Sequence, residues 1–539
     1  MPTMVRMRDG VRLATDVYLD GRTEPGPTIL IRTPYDKRSG PIHLPYTAEY
    51  MAERGYRVVT QDNRGKFESE GVAIPFGGDD VADAYDTIDW IVQQPWSDGK
   101  VGMFGDSYYG YTAMAGLSSR HPALRAISPR VTGSYLAALN THAPDAPTRD
   151  VEWSFSRLYG ATYYGSQYQY VWDMDWKHRP LADNVEGFFK ALGRRFDAWD
   201  QVYLRNVERR RWPEGMPWDA PPIPVLQSIG WWDVCAPWAW QDVAEFQSRP
   251  AWATNHYLNI ESIDHTSYEI GTTETKYRTL DEVKAFLPRH CGPTLEFFDV
   301  FIRGIKPADS IPRVRWNLAH TEGMRTSASW PPDGVLGHTV HLTAGGALSD
   351  VRAADETVGT WTHDPEDPIP SRGDIAAFEF VHDWPDEAPE ADRNDVLSVI
   401  GPVLDSGLNI VGPVRFDGNV WSSGPNMDVL VRLLDVQPNG ERHLISRGMS
   451  HVKDASQGQS ITIEMAPTGY WVRPGHRLAV HLASSDFPDF LAQPGTGEDP
   501  WAAVETAVNQ QYVLLGGEQG ARVSVSTLEE PGPVADRRW

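Results

Sequence analysis

The sequence contains very little cysteine, with only Cys235 and Cys291 among 539 residues. Two cysteines cannot supply a disulfide framework or the paired C-x-x-C spacing of a structural metal site. The motifs H-E-x-x-H and G-x-x-x-x-G-K-[ST] do not occur either, which leaves no sequence support for a metalloprotease or a phosphate-binding loop. We therefore expect a fold stabilised by its hydrophobic cores, with no metal and no other cofactor.

Positive charge is scarce relative to negative charge: 49 Lys and Arg face 73 Asp and Glu, a formal net charge of −24. Nucleic acids and anionic membranes bind clustered Lys and Arg, so we expect neither as a partner. No apolar run approaches the roughly 20 residues that span a bilayer. Residues 1–10 lack the apolar segment of a secretory signal, so we expect a cytoplasmic protein, although a processed chain would look the same.

The first part of the chain alternates between strand and helix patterns. Short apolar runs at 27–32, 55–60 and 101–104 are typical of buried strands, and 81–92 has the apolar spacing of an amphipathic helix. The pattern resumes with strands at 223–230 and 256–260 and closes with a helix at 295–304. Such alternation predicts a mostly parallel sheet that is covered by helices on both faces.

The most informative stretch is residues 105–110, which read GDSYYG. A buried strand runs directly into helix-compatible residues here, and Ser107 stands at the bend. Glycines flank such a turn because it crowds the backbone, and this arrangement is typical of the nucleophile elbow of serine hydrolases. The pattern is G-x-S-x-x-G, with its second glycine one position later than in the common G-x-S-x-G.

A serine nucleophile needs a histidine base and a carboxylate that orients the histidine. In α/β-hydrolases the three residues follow in the order serine, acid, histidine, each in a loop after a strand. Ser107, Asp233 and His265 have this order and these positions. We therefore predict that they form a catalytic triad.

Other residues compete for these roles. His256 lies within a strand-like run and His290 follows a helix, so both are less well placed as the base. Asp264 is an alternative acid because it precedes His265. Cys235 is an alternative nucleophile, although no elbow surrounds it.

The oxyanion of an acyl-transfer intermediate needs hydrogen-bond donors. The backbone N–H of Tyr108, the residue after the nucleophile, is the expected first donor. A second donor is expected from the loop after an early strand, where residues 33–35 lie.

Changes in composition and in the predicted secondary-structure pattern divide the chain into four segments. Residues 1–134 and 218–310 carry the two parts of the core, and 135–217 is a polar, helix-compatible and very aromatic insertion that we interpret as a helical cap. From 311 to 539 short strand-like runs and turn signals replace the helical patterns, which favours an all-β sandwich of the jelly-roll type. The candidate aromatic residues of a substrate pocket are Trp153, Phe155, Tyr159, Trp231 and Trp232.

Several segments together make the chain resemble the family of bacterial cocaine esterase, X-prolyl dipeptidyl aminopeptidase and α-amino acid ester hydrolase. The resemblance covers nearly the whole chain. The segments that carry it are 32–37, 61–65, 69–71, 96–102, 105–110, 230–233, 297–299, 330–332, 364–368 and 473–477.

This resemblance implies an α/β-hydrolase core with an inserted helical cap and a C-terminal jelly roll. It also implies that the hydroxyl of Tyr35 joins the Tyr108 amide in the oxyanion hole. The family elbow is typically G-x-S-Y-x-G, which matches the position of Gly110. The sequence departs from the family at 261–264, where Glu-Ser-Ile-Asp stands in place of a Gly-Pro-Trp before the histidine.

Together these patterns predict a serine hydrolase that cleaves a small-molecule ester or amide with an apolar or aromatic acyl group through an acyl-enzyme. Aminopeptidase or amino-ester activity is an alternative, and it would need carboxylates such as Glu261 or Asp264 to bind a substrate ammonium. A ligand-binding protein that retains a silent hydrolase scaffold is a further alternative. An exposed jelly-roll surface would suit a homodimer.

Overall fold

The computed structural model describes residues 2–40, 42–74, 76–77, 79–136, 148–149, 175–193, 195, 212–267, 278–372 and 386–529. The predicted cap at 135–217 lies largely outside these ranges. Within the described residues, no helix is both long enough and apolar enough to pass through a membrane.

The first half of the chain forms one mixed sheet with helices on both faces. Its strands are β1 (Thr3–Arg6), β2 (Arg12–Tyr18), β3 (Gly26–Thr33), β4 (Arg57–Asp62), β5 (Ser97–Asp106), β6 (Leu124–Arg130), β8 (Val225–Gly230), β9 (His256–Glu261), β10 (Val314–Trp316) and β11 (Arg325–Ser327), in the order β1-β2-β4-β3-β5-β6-β8-β9-β10-β11. The central strands from β4 to β10 pair in parallel, and the outer pairs β1–β2, β2–β4 and β10–β11 are antiparallel.

The helices of the described residues are mostly long. They are α1 (Leu44–Glu53), α2 (Asp79–Val92), α3 (Ser107–Ser118), α4 (Asp183–Leu192), α5 (Ala236–Gln247) and α6 (Leu280–Phe301), with short 3₁₀ turns at Pro217–Asp219, Pro250–Trp252, Ala308–Ser310 and Ala388–Asp392. The helix predicted at 295–304 is the end of α6, which begins at a capping box between Thr279 and Glu282.

Strand β3 shows how the sequence builds the two faces of the sheet. Ile29 and Ile31 point to one face, where they pack with α1 and α6. Leu30 points to the other face, where it packs with α2 and α3. Alternate side chains of a strand leave on opposite sides, so a continuous apolar run is what a strand buried on both faces requires.

The second half of the chain is built from strands. They are β12 (Leu336–Leu342), β13 (Leu348–Ser349), β14 (Thr357–His363), β15 (Leu397–Val403), β16 (Leu408–Ser422), β17 (Met427–Val436), β18 (Arg442–Val452), β19 (Gln459–Val472), β20 (Arg477–Ala483), β21 (Asn509–Leu515) and β22 (Arg522–Thr527). In the described residues one antiparallel sheet has the order β13-β12-β22-β16-β21-β14, with β19 also paired to β16. A second sheet has the order β15-β20-β17-β18-β7, in which β7 is Thr148–Arg149. Apolar residues of both sheets share one core cluster.

The core and this β-domain meet at a group of tryptophans. Trp231 and Trp240 stack with their ring centroids 5.9 Å apart, and Trp330 lies 5.7 Å from Trp240. Gly469 on β19 sits against Trp231, since a Cβ atom there would lie 2.7 Å from the indole ring. The core sheet also continues past residue 311, the predicted start of the β-domain, because β10 and β11 extend its edge. The two halves therefore share a packed junction.

Candidate active site

Ser107 occupies a strained turn between β5 and α3. Its φ angle is 52°, in the left-handed region that a residue with a Cβ atom rarely adopts. A Cβ atom on Gly110 would lie 2.7 Å from the carbonyl oxygen of Gly105. The second glycine stands at position 110 because that is where the helix backbone approaches the end of the strand.

Three predicted residues come together at the carboxyl edge of the sheet. The Oγ atom of Ser107 lies 3.0 Å from Nε2 of His265, and Nδ1 of His265 lies 2.5 Å from Oδ1 of Asp233. All three residues are buried, with exposed fractions of 9% or less. The result is a continuous chain of hydrogen bonds from carboxylate to imidazole to hydroxyl.

The topology explains why these residues meet. Asp233 follows β8 and His265 follows β9, and parallel strands present their carboxyl ends at the same edge of a sheet. The Asp233 carboxylate also accepts a hydrogen bond of 3.0 Å from the backbone N–H of Cys235. This contact holds the Oδ1 atom that faces His265.

The two predicted oxyanion donors lie on either side of the serine. The hydroxyl of Tyr35, in the loop after β3, lies 3.4 Å from Oγ of Ser107. Tyr108 is the second residue of α3, where backbone N–H groups have no partner within the helix. Its side-chain hydroxyl is already engaged, because it donates to Asp80 (3.0 Å) and accepts from the N–H of Phe76 (2.7 Å).

Asp80 is a residue that the sequence did not single out. Its carboxylate binds the Tyr108 hydroxyl, and its carbonyl oxygen accepts a 2.8 Å hydrogen bond from Nη1 of Arg32. Arg32 lies three residues before Tyr35, so Asp80 connects the segments that carry both candidate oxyanion donors. Burial raises the pKa of Asp80 to about 7.

A second buried charge group lies beneath the elbow. Oδ1 of Asp106 lies 3.1 Å from Nε of Arg130, and its Oδ2 lies 3.4 Å from Nε2 of His290. Burial raises the pKa of the Asp106 carboxyl and lowers that of His290 well below its ordinary value. His290, a rival for the catalytic base, therefore has a structural partner.

The other rivals also have local partners. Nε2 of His256 lies 3.1 Å from Oε1 of Gln227, and burial lowers the pKa of His256 to about 3. Asp264 accepts hydrogen bonds from the N–H (2.9 Å) and the hydroxyl (3.0 Å) of Thr266 and so shapes the turn after β9. Burial raises the pKa of the Cys235 thiol well above its ordinary value.

Among the described residues, one group has the spacing of metal ligands. A carboxylate oxygen of Asp233, the sulfur of Cys235 and a ring nitrogen of His265 all lie within 4.8 Å of one another. Two of these residues also form the hydrogen-bond chain to Ser107.

Of the five aromatic residues predicted to line the pocket, the structure describes two, and both are buried in the core cluster that the β-domain shares. The buried Trp231 lies at the junction with the β-domain, where its indole N–H donates to the carbonyl oxygen of Asn317 at 3.2 Å. Trp232 is buried in the same core cluster. Trp153, Phe155 and Tyr159 lie outside the described residues.

A different apolar cluster adjoins the site. Tyr35 packs against it, and two of its members, Tyr108 and Val234, are direct neighbours of Ser107 and Asp233 in the chain. It consists of Phe76, Tyr108, Tyr111, Leu136, Val234, Cys235 and Trp238. The side chains come from distant segments, so no local sequence signal groups them.

Comparison with known proteins agrees with this architecture. Residues 9–266 match the X-Pro dipeptidyl-peptidase (S15 family), and 307–524 match the X-Pro dipeptidyl-peptidase C-terminal non-catalytic domain. The chain is 29% identical over 543 aligned positions to a cocaine esterase from Rhodococcus sp., with 92% of each chain covered.

Solved structures show the same fold over nearly the whole chain. An aminopeptidase from a marine sediment Thaumarchaeota archaeon has a TM-score of 0.80 at 20% identity, with 98% of this chain and 96% of that chain covered. An α-amino acid ester hydrolase has a TM-score of 0.80 at 23% identity, with the same coverage.

The fold is therefore that of an α/β-hydrolase followed by a C-terminal β-domain, which confirms the predicted fold class. Within that class, the chain carries the S15 domain and the C-terminal domain of the X-Pro dipeptidyl-peptidase family, and it is similar to a cocaine esterase along most of its length.

Proposed function

We propose that this protein is a serine esterase that cleaves carboxylic esters with an apolar or aromatic acyl group through an acyl-enzyme. The observation that carries the proposal is the hydrogen-bond chain from Asp233 through His265 to Ser107. The similarity to an esterase over most of the chain supports it.

In the proposed reaction, Oγ of Ser107 attacks the carbonyl carbon of the ester while its proton passes to Nε2 of His265. Asp233 holds the imidazole with Nδ1 protonated and stabilises the imidazolium that forms. His265 then gives the proton to the leaving alcohol. Water, activated by the same histidine, releases the acid from Ser107 in a second cycle.

The negative oxygen of each tetrahedral intermediate is assigned to the space between Ser107 and two donors. The Tyr35 hydroxyl and the Tyr108 N–H are the groups proposed to bind it. One such donor is typically worth about 3–4 kcal/mol in the transition state. The buried surroundings strengthen these interactions because water does not compete for them.

The preference for an apolar acyl group rests on the cluster beside the site. Phe76 stacks on Tyr108 with ring centroids 4.3 Å apart, and Tyr111 lies edge-on to Phe76 at 5.0 Å. Tyr35 packs against this cluster as well. An apolar substrate group that contacts it gains by leaving water.

The competing amino-ester or aminopeptidase activity needs a carboxylate that is available to an ammonium group. Glu261 accepts a hydrogen bond from Nδ2 of Asn259 (2.8 Å) and lies 3.4 Å from Nε of Arg289. Asp264 accepts hydrogen bonds from the backbone N–H and the hydroxyl of Thr266. These engagements favour the simple esterase, while the S15 family match keeps the peptidase as the second candidate.

The test uses two aryl esters that differ in one group, the ester of phenylacetic acid and that of phenylglycine. We expect a larger kcat/KM for the phenylacetyl ester, with a burst of product that reports the acyl-enzyme. A larger kcat/KM for the phenylglycyl ester would reverse the ranking in favour of amine recognition.

A fluorophosphonate probe separates an enzyme from a silent ligand-binding protein. We expect the wild type to be labelled and the variant Ser107→Ala to remain unlabelled. Absence of labelling in the wild type would contradict the esterase proposal.

A further inference from the structure

The proposed mechanism gives no role to one sulfur-bearing side chain that lies beside the triad. The thiol of Cys235 is buried, with 1% of the residue exposed, and its backbone N–H binds Asp233. Its sulfur lies within 4.8 Å of ligand atoms of both Asp233 and His265. The same residues that would activate the serine therefore share their space with a soft donor atom.

We propose that Asp233, Cys235 and His265 form a binding site for a thiophilic divalent cation such as Zn²⁺ or Cd²⁺, and that occupation of the site switches the hydrolase off. The inhibitory consequence rests on the proposed function, whereas cation binding itself does not.

The donor set fits such a cation. One thiolate, one imidazole and one carboxylate are the ligand types that zinc selects, and a water completes four-coordination. Bonds of roughly 2.0–2.3 Å in a tetrahedral site place the ligand atoms about 3.3–3.8 Å apart. The observed spacing of at most 4.8 Å requires the side chains to close by only about 1 Å.

The acid provides a second, independent indication. Oδ1 of Asp233 binds His265, but the buried Oδ2 accepts no hydrogen bond in the part of the chain that the structure describes. Asp233 is only 4% exposed, so neighbouring solvent does not compensate this oxygen. A buried carboxylate oxygen without a donor is unfavourable, and a bound cation would satisfy it.

Binding of the cation releases one proton and moves another within the His265 ring. The thiol of Cys235 releases its proton to solvent and binds the cation as a thiolate. The His265 ring stays neutral: its proton moves from Nδ1 to Nε2, and the Nδ1 lone pair binds the cation. A ring that is protonated at Nε2 cannot accept the proton of Ser107, so nucleophilic attack stops. Because one proton is released, binding should tighten about tenfold per pH unit while the thiol is protonated.

The experiment titrates Cd²⁺ into the full chain and follows the ultraviolet charge-transfer absorption of a cadmium thiolate. The matched control uses the other cysteine: Cys291→Ala removes a buried thiol outside the proposed site. We expect one equivalent of absorption for the wild type and for Cys291→Ala. We expect none for Cys235→Ala or for Cys235→Val, which serves if the alanine variant does not fold.

The second readout is ester hydrolysis with and without Zn²⁺, expressed as a ratio within each protein. The ratio should fall at least tenfold for the wild type and for Cys291→Ala, recover with a chelator, and stay near one for Cys235→Ala. Absorption that persists in Cys235→Ala, or that is absent from the wild type, would overturn the site. Binding without inhibition would overturn the switch. If no ester is hydrolysed by any variant, the absorption titration still decides the binding site, and only the proposed function fails.

Discussion

The core and the β-domain both bury an aspartate–histidine pair, and the two pairs are almost alike. Oδ1 of Asp233 lies 2.5 Å from Nδ1 of His265, and Oδ1 of Asp428 lies 2.6 Å from Nδ1 of His451. They differ at the other ring nitrogen: His265 faces Ser107, whereas His451 makes no hydrogen bond to a serine among the described residues. An Asp–His pair is thus a way of packing two polar groups, and the elbow is what places a serine hydroxyl beside one of the two pairs.

The largest predicted effect comes from removing the hydroxyl of Ser107, which faces His265 and has no counterpart beside His451 among the described residues. Ser107→Ala should lower kcat for an aryl ester by about 10⁴-fold or more, because no nucleophile remains. Stopped assays at high enzyme concentration would measure the residual rate. The urea unfolding curve should stay close to that of the wild type. A fall of less than tenfold would mean that another residue attacks.

The second prediction compares the two acids directly. Asp233→Asn should lower kcat by about 10⁴-fold, because an amide no longer selects the Nδ1-protonated tautomer of His265. Asp428→Asn should leave kcat unchanged and reduce the free energy of unfolding by about 1–3 kcal/mol, because a buried hydrogen bond is weakened. Matched kinetics and urea unfolding of both variants would test this contrast. A large loss of kcat in Asp428→Asn would show that the β-domain pair takes part in function.

The third prediction concerns the proposed oxyanion hole. Tyr35→Phe should lower kcat by about 10²–10³-fold with little change in KM, because the lost donor acts only on the developing negative charge. Tyr18→Phe is a control: it removes a tyrosine hydroxyl at the edge of the core, where the side chain packs against the cluster behind Tyr35. If Tyr35→Phe instead raised KM by about 10²–10³-fold and left kcat unchanged, Tyr35 would be assigned to substrate binding.

The smallest predicted effect is that of Asp80→Asn. It should lower kcat by about tenfold, or ~1.4 kcal/mol, because the amide replaces the carboxyl oxygen that accepts the hydrogen bond of the Tyr108 hydroxyl. Burial raises the pKa of Asp80 from 3.8 to about 7, so its protonated form is favoured in the folded protein. The contribution of the Asp80 carboxyl to the free energy of unfolding is therefore fully present below pH 3.8 and is lost as the pH rises through about 7.

The pH dependence of the unfolding free energy provides a second test of the Asp80→Asn variant. The variant cannot ionise at this position, so between pH 5 and pH 8 it should lose less unfolding free energy than the wild type. Urea unfolding at both pH values would measure the two losses. Equal losses would contradict the raised pKa.

Local patterns in the sequence were enough to place the elbow and the loops that carry Asp233 and His265. The reason is physical: apolar runs mark buried strands, and parallel strands end at one edge of the sheet. The length of α6 was underestimated, because Pro288 and Pro293 interrupt the helical pattern although the helix continues through them. Proline is unfavourable inside a helix, so the pattern favoured a shorter one.

Contacts between distant segments could not be predicted in this way. Asp80 and Tyr108 are separated by 28 positions, and Asp106 and His290 lie on a strand and on the last core helix. Nothing in the local sequence marks these buried carboxylates as partners of the elbow. Trp231 shows the same limit, since an aromatic residue next to Asp233 looks like a pocket residue until its partner Asn317 is known.

The tryptophan junction has a consequence for how such a chain can change over generations. Trp231 stands two residues before Asp233, and its ring is covered by Trp240, Trp330 and the backbone at Gly469. A gene that lost the β-domain would expose these rings and the sheet edge beside β9 at once. We therefore expect the two halves to be inherited as one unit, because the segment that carries Asp233 packs against a domain none of whose described residues belongs to the hydrogen-bond chain of Ser107, His265 and Asp233.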